Sequence, residues 1–341
     1  MKDSLNIAII GATGYVGIQL IKILSKHSKA KIKYLCSRSY VGKKMNVFDK
    51  KIYDKNLPKL SKIEKIDWGK INILFTALPD GEAQKIASTM PQHVKLIDLS
   101  ADFRLTNPNE YKKWYGINHK CKNLIKHSLY AVSEFSKKKI KNVKIIACPG
   151  CYPTSIQLPL VPLLAKKLIN SKTIIIDSKS GYSGAGKKIK NKFKFKKIFE
   201  SVSAYGVGHH RHSAEINQEL SKVAKKKVNA IFTPHLIPMF RGILSTIYVE
   251  TIGNIDAKKI YNYLKKYHKK NIFVKLAKFN TPIGTGAVMN TNFCNISICK
   301  SSVKNKVIII CTIDNLIKGA SGQAVQNMNI AFNLNEATGL L

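Results

Sequence analysis

The segment Gly11-Ala12-Thr13-Gly14-Tyr15-Val16-Gly17 constrains this chain more than any other. A short apolar run, Asn6–Ile10, precedes it, and a helical pattern, Gly14–Ser25, follows, with Val16, Leu20, Ile23 and Leu24 on one face. Glycines spaced G-x-x-G-x-x-G between a strand and a helix permit a tight turn. They place backbone N–H groups and a helix N-terminus under an anion such as a pyrophosphate. A glycine pattern alone is weak, but here the strand and helix around it supply the required context. Lys31–Cys36, Asn72–Ala77, Lys95–Leu99 and Val143–Ala147 read as further strands, with a helix near Gly81–Met90. Strands alternating with helices predict an α/β domain built on a doubly wound parallel sheet of Rossmann type.

The texture changes near residue 150. Thr173–Asp177, Val228–Thr233, Gly242–Thr251, Asn292–Cys299 and Lys306–Ile313 are strand-like, and Pro153–Leu168, Ala214–Ala224 and Asp256–His268 have helical spacing. This predicts an α+β domain with a mixed sheet. The closing pattern Gly319–Asn333 is helical and is expected to return to the first domain. The expected division is 1–149 with 316–341 for dinucleotide binding, and 150–315 for catalysis and oligomerisation. Lys187–Lys197, with Phe193 and Phe195, reads as a basic, mobile loop.

At 341 residues, 45% hydrophobic and 23% charged, the chain has material for sizeable cores, which excludes wholesale disorder. No apolar run approaches the roughly 18–20 residues needed to cross a bilayer. Leu5–Ile10 runs into the glycine turn without a cleavage-site pattern, so a cytoplasmic protein with no membrane partner is expected. The net charge of +39 invites a nucleic-acid reading. Yet 54 of the 58 basic residues are Lys and only 4 are Arg, and the Lys are scattered. Readers of bases and phosphates favour the planar Arg fork, so a solvated basic surface is the better reading and no nucleic-acid partner is expected. The seven cysteines match no extracellular disulfide framework.

The end of the second strand selects the cofactor. An NAD-type site places Asp or Glu there for the ribose 2′-hydroxyl. This chain has Cys36-Ser37-Arg38-Ser39 instead. A guanidinium flanked by hydroxyls at Ser37 and Ser39 suits a 2′-phosphate, which favours NADP(H); the alternative leaves Arg38 as a surface charge.

Cys148-Pro149-Gly150-Cys151-Tyr152-Pro153-Thr154 follows a buried strand and opens a helix. The positive end of that helix favours the Cys151 thiolate, and nearby N–H groups can form an oxyanion hole. Cys148, at the strand end, is expected to pack inward. The other dense cluster is His209-His210-Arg211-His212-Ser213-Ala214-Glu215. Its histidines lack the i, i+4 helix spacing of a zinc motif, so no metal is assigned, and a His acting as acid/base toward the thiol is favoured. In a Lys-rich chain each Arg points to fork geometry; for Arg104, in Leu99-Ser100-Ala101-Asp102-Phe103-Arg104, structural pairing and ligand contact stay equally open. A dinucleotide site, a nucleophilic Cys and an acid/base His imply thioester chemistry: oxidation of an aldehyde with phosphate as acyl acceptor or, in reverse, reduction of an acyl phosphate.

The segments GATGYVG, CSRSYVGK, DLSADFRL, PGCYPTSIQL, DSKSGYSGAGK, HHRHSAEI, FTPHLIPMFRGIL and DNLIKGASGQAVQNMN span nearly the whole chain in order. In these the chain resembles the N-acetyl-gamma-glutamyl-phosphate reductase family, a relative of aspartate-semialdehyde dehydrogenase. The resemblance implies NADPH-dependent reduction of N-acetylglutamyl phosphate to the semialdehyde in arginine biosynthesis, by a homodimer or homotetramer. It implies Cys151 as nucleophile, His212 as acid/base with His210 still open, and Glu215 orienting a basic partner. It implies Arg211, with Lys179 or Arg104, on the substrate, and Ser183, Gly184 and Asn315 beside the nicotinamide. Cys148 departs from the family's usual Asn, which implies a C-x-x-C pair that oxidation would close. The alternatives are an acyl-phosphate reductase of lysine biosynthesis, acting on an aminoadipyl substrate, and a non-catalytic NADP-binding protein.

Overall fold

The computed structural model describes residues 4–52, 56–187 and 200–341. From residue 188 onward, the expected loop Lys187–Lys197 lies outside the described residues. The chain divides into two compact units, Met1–Pro149 with Ala320–Leu341, and Gly150–Gly319.

The first unit holds β1 (Leu5–Ile10), α1 (Tyr15–Leu24), β2 (Ala30–Cys36), β3 (Leu60–Ser61), β4 (Ile73–Thr76), α2 (Glu82–Thr89), β5 (Lys95–Asp98), α3 (Pro108–Tyr115), α4 (Lys122–Ile125), β6 (Ser128–Tyr130), α5 (Ser133–Ile140) and β7 (Ile145–Ala147). The strands form one sheet in the order β3-β2-β1-β4-β5-β7-β6, with every pair parallel. A parallel sheet covered on both faces buries its strands completely, and Ile7, Ala8 and Ile9 have no exposed surface. From β1 the chain builds outward through β2 and β3, then resumes at β4 on the other side. The C-terminal end of β1 is therefore the switch point where open α/β sheets bind ligands.

The second unit holds α6 (Cys151–Ala165), β8 (Ile175–Gly181), β9 (Ser203–Ala204), α7 (His212–Ala224), β10 (Ile231–Ile237), β11 (Ile243–Glu250), α8 (Ala257–Tyr267), β12 (Val274–Leu276), β13 (Cys294–Lys300) and β14 (Lys306–Ile313). Its sheet runs β12-β13-β14-β11-β8-β10-β9 and mixes parallel with antiparallel pairs. Helix α6 lies against β11 and β14, and its Ile156, Leu158, Leu160 and Leu163 are fully buried, each contributing about 1.5–3 kcal/mol. A buried hydroxyl chain, Ser155 Oγ to Ser245 Oγ (2.8 Å) to Ser178 Oγ (2.7 Å), fixes its position on β11 and β8.

Two prolines lie inside α6, Pro159 and Pro162. Pro162 has no N–H for the Leu158 carbonyl, which accepts from His268 Nε2 instead (3.0 Å). The helix stops three residues short of the expected Leu168 because Lys167 turns left-handed, at φ 56°. The chain then returns to the first unit with α9 (Gly322–Ala331), preceded by a π-turn, Ile317–Ser321. Buried amides on α9 bind that unit: Asn327 meets Ser133 Oγ (2.6 Å) and the Ala131 carbonyl (3.1 Å), and Asn329 meets His27 (2.9 Å). Among the described residues no helix is long and apolar enough to cross a membrane.

Candidate active site

In the first unit the glycine turn forms a cradle. Gly11 has φ +87°, and a Cβ there would stand 2.2 Å from the Ala77 carbonyl oxygen. A Cβ on Gly17 would stand 2.3 Å from Gly11 O. Both positions therefore require glycine, the first for the turn and the second for close approach of helix to turn. Gly14 caps α1, whose first turn holds no acidic residue. Its positive end is open to an anion, as a pyrophosphate needs. Thr13, Tyr15 and Val16 are half-buried here, and Ser321 Oγ ties the Val16 carbonyl (2.9 Å).

Ser37, Arg38 and Ser39 leave β2 next to this turn, whose Gly11 and Ala12 N–H groups bond Cys36 O (3.2 and 3.4 Å). Arg38 is mostly exposed and forms an ion pair with Glu82, the first residue of α2. The sequence reading missed Glu82; an acidic residue opening the helix after β4 was the available signal. Arg104 is buried, and its guanidinium donates to the Leu99 carbonyl (3.0 Å), a contact of the structural kind. Cys148 is also buried, with Asn327 Nδ2 3.7 Å from its sulfur, and burial pushes its thiol up to about 12. A thiol held protonated is a poor partner in exchange, which works against the oxidative closure expected from the C-x-x-C spacing.

In the second unit Gly150 caps α6 and Cys151 is its first residue, partly exposed, in the field of the helix N-terminus. The wholly buried Glu215 accepts the Gly150 N–H at Oε2 (2.9 Å). Its other oxygen lies 3.9 Å from His212 Nε2, one turn earlier on α7. One carboxylate thus fixes the strand-to-helix turn carrying Cys151 relative to the helix carrying His212. The fit is close: a Cβ on Gly150 would stand 2.4 Å from His212 Nε2, so only glycine admits the imidazole. Gly319 does the same for the thiol, since a Cβ there would stand 2.7 Å from Cys151 Cβ.

The three histidines separate. His209 is exposed. His210 sits in an aromatic box of Tyr152, Tyr205 and Phe232, at ring separations of 5.7, 5.4 and 5.5 Å. Its Nδ1 accepts the His212 N–H (3.1 Å), so that nitrogen carries no proton. Burial and the Arg211 charge lower its pKa to about 4. His210 is thus packed among aromatic rings, whereas His212 faces Glu215.

The remaining residues distribute as follows. Arg211 is exposed at the N-terminus of α7. Lys179 bonds Asp177 (2.7 Å) on the face of β8 opposite Ser178. Because α6 packs on the Ser178 face, strand alternation turns Lys179 away from the Cys151 helix, against the expected substrate contact. Ser183, Gly184 and Asn315 do come together: Asn315 donates to Ser183 Oγ (2.9 Å) and accepts from Gly242 N (2.7 Å). A Cβ on Gly184 would stand 3.6 Å from the same amide. Arg241 bonds the buried Asp314 (3.1 Å) and Asn290 (2.8 Å), a structural use.

Two family models match in sequence order: the semialdehyde dehydrogenase NAD binding domain over residues 6–143, and the semialdehyde dehydrogenase dimerisation domain over 151–315. The N-acetyl-gamma-glutamyl-phosphate reductase of Brachyspira hyodysenteriae is 43% identical, covering 98% of each chain. That of Ehrlichia ruminantium is 40% identical over 100% of this chain and 99% of its own. An Oryza sativa protein named as a probable chloroplastic reductase of the same kind is 41% identical over 99% of this chain and 81% of its own. Among solved structures, aspartate semialdehyde dehydrogenase II from Vibrio cholerae matches with a TM-score of 0.74 at 19% identity, over 97% of this chain and 99% of that one. The enzyme of Candida albicans, solved with NADP, matches at 0.70 and 15%, over 96% and 98%. These two show the shared fold. With full-length identity of about 40% to several reductases and both domain models matched in order, the chain belongs to the N-acetyl-gamma-glutamyl-phosphate reductase family.

Proposed function

We propose that the chain reduces N-acetyl-γ-glutamyl phosphate to N-acetylglutamate 5-semialdehyde and phosphate, with NADPH, through a thioester on Cys151. The observation that carries the residue roles is Glu215, which bonds the turn of the nucleophile and faces His212. The Cys151 sulfur attacks the acyl carbonyl, the C–S bond forms, and the C–O bond to phosphate breaks. NADPH, when bound, supplies the hydride that reduces the thioester. The His212 imidazolium gives a proton to the resulting oxyanion, and its neutral form takes that proton back as the C–S bond breaks to release aldehyde and thiolate. Amides at the start of α6 stabilise the oxyanion. Arg211 is the candidate for the substrate's carboxylate or phosphate, and Arg38 for the 2′-phosphate. Ser183, Gly184 and Asn315 are the candidates for the nicotinamide. Buried cysteines that match no extracellular disulfide framework support a cytoplasmic setting.

The reverse reaction tests this reading. N-acetylglutamate semialdehyde, inorganic phosphate and NADP are expected to give NADPH absorbance only when all three are present. Faster turnover with the aminoadipyl homologue would assign the chain to lysine biosynthesis, and no turnover with either would overturn the reading.

The matched dimerisation domain supports a second copy as partner. Ile231, Ile175 and Tyr248 are 61%, 44% and 41% exposed and lie side by side across β10, β8 and β11, on the face away from α6. We place the homodimer contact on this apolar patch. Ile231→Lys is expected to halve the mass seen by light scattering; an unchanged mass would move the interface elsewhere.

A further inference from the structure

We propose that Glu82 is an internal competitor for the cofactor's 2′-phosphate, and so sets how strongly this chain prefers NADP(H) to NAD(H). The inference rests on the reading that Arg38 receives that phosphate. Arg38 leaves the C-terminal end of β2, and Glu82 opens the helix that follows β4. These two strands flank β1, so the loops that carry the pair stand on either side of the glycine turn. The Arg38–Glu82 ion pair therefore bridges the switch-point crevice where a dinucleotide lies. A carboxylate holds the guanidinium where a phosphate is expected.

Glu82 is held in place. The buried Asp102 accepts the Gly81 N–H (2.6 Å) and the Gln84 N–H (3.2 Å), clamping the first turn of α2 around it. Release of Arg38 does not strand Glu82, because Lys85 donates to its second oxygen (3.0 Å). The guanidinium can thus pass from Glu82 to a doubly charged phosphate, which binds it bidentately and more strongly. NAD(H) brings no phosphate there and leaves the ion pair intact. Glu82 consequently weakens binding of the phosphorylated cofactor and not of the other, which narrows the discrimination that Arg38 alone would give.

The test is calorimetry on the full-length protein with adenosine 2′,5′-bisphosphate and with adenosine 5′-monophosphate, which differ only at the 2′ position. Glu82→Gln is expected to bind the bisphosphate about three- to tenfold tighter, with the monophosphate within about twofold of wild type. The gain is expected to shrink as salt rises, since exposed charges are screened. KM for NADPH is expected to fall while that for NADH holds. Equal changes for both nucleotides, no change, or weaker bisphosphate binding would overturn the proposal. Arg38→Gln separates the two layers. If it leaves the bisphosphate preference intact, the reading of Arg38 fails and this inference with it. If it erases the preference but Glu82→Gln leaves the wild-type ratio, only the inference about Glu82 fails.

Discussion

Cys151→Ser is expected to lower phosphate-dependent NADPH formation by at least about 10⁴-fold, some 5.5 kcal/mol of transition-state stabilisation. A Ser hydroxyl at the start of α6 stands in the same helix field, but it ionises far less readily than a thiol. Serine is smaller, so it also satisfies the close approach of Gly319, and the fold is expected to survive. Binding of NADPH is expected to persist, because the glycine cradle belongs to the other unit. Iodoacetamide supplies an independent readout: Cys151 should be alkylated first, ahead of Cys36 and Cys148, which burial holds protonated up to about 11 and about 12. Residual turnover above about 1% of wild type would remove Cys151 from the role of nucleophile.

The second large effect separates two neighbouring histidines. His212→Asn is expected to lower kcat by about 10²–10⁴-fold, the usual worth of a positioned proton donor. His210→Asn is expected to act mainly on stability, since Asn keeps an acceptor for the His212 N–H but empties part of the aromatic box. pH reads the difference. His210 has its folded pKa depressed to about 4 from 6.5 by burial and by Arg211. The unfolded chain therefore binds its proton first on acidification. The stability this neutral ring confers is fully present above pH 6.5 and is lost as pH falls toward 4, a loss on the order of 2 kcal/mol after allowance for partial exposure. Denaturant melts at pH 7.5 and 5 should show a smaller pH-dependent loss in His210→Asn than in wild type. A larger rate loss in His210→Asn than in His212→Asn would reverse the two roles.

Much of the fold was legible because its signals are local. The strand before GATGYVG, the glycine turn and the amphipathic α1 are one continuous pattern, and β1 and α1 end within a residue of their expected limits. The misses are of two kinds. Short edge strands such as β3, β6, β9 and β12 span only two or three residues and leave no period to detect. β10 was expected only as far as Thr233, just before Pro234, a residue that cannot donate to a ladder. The strand continues to Ile237. Pro234 carries its carbonyl toward the β9 side, where it accepts from Tyr205 N (3.1 Å). Its missing N–H faces that same side, where β9 pairs over only two residues and little is forfeited.

The sequence by itself determined which chemistry the chain can carry. Glycines at 11 and 17, a cysteine opening a helix and the absence of an acidic residue after β2 are decided by residue type within one turn. Tertiary structure decided the surroundings that set chemically similar residues apart. His210 and His212 are two positions apart, and only the box around one and Glu215 beside the other distinguish them. Four arginines looked alike in a Lys-rich chain. Packing sent Arg104 to a carbonyl and Arg241 to a buried carboxylate, left Arg211 exposed, and gave Arg38 the carboxylate of Glu82, 44 residues away. The physical reason is range. Turn geometry and helix fields act within a few residues, whereas a proton affinity or an ion pair is set by whatever the fold brings within about 4 Å.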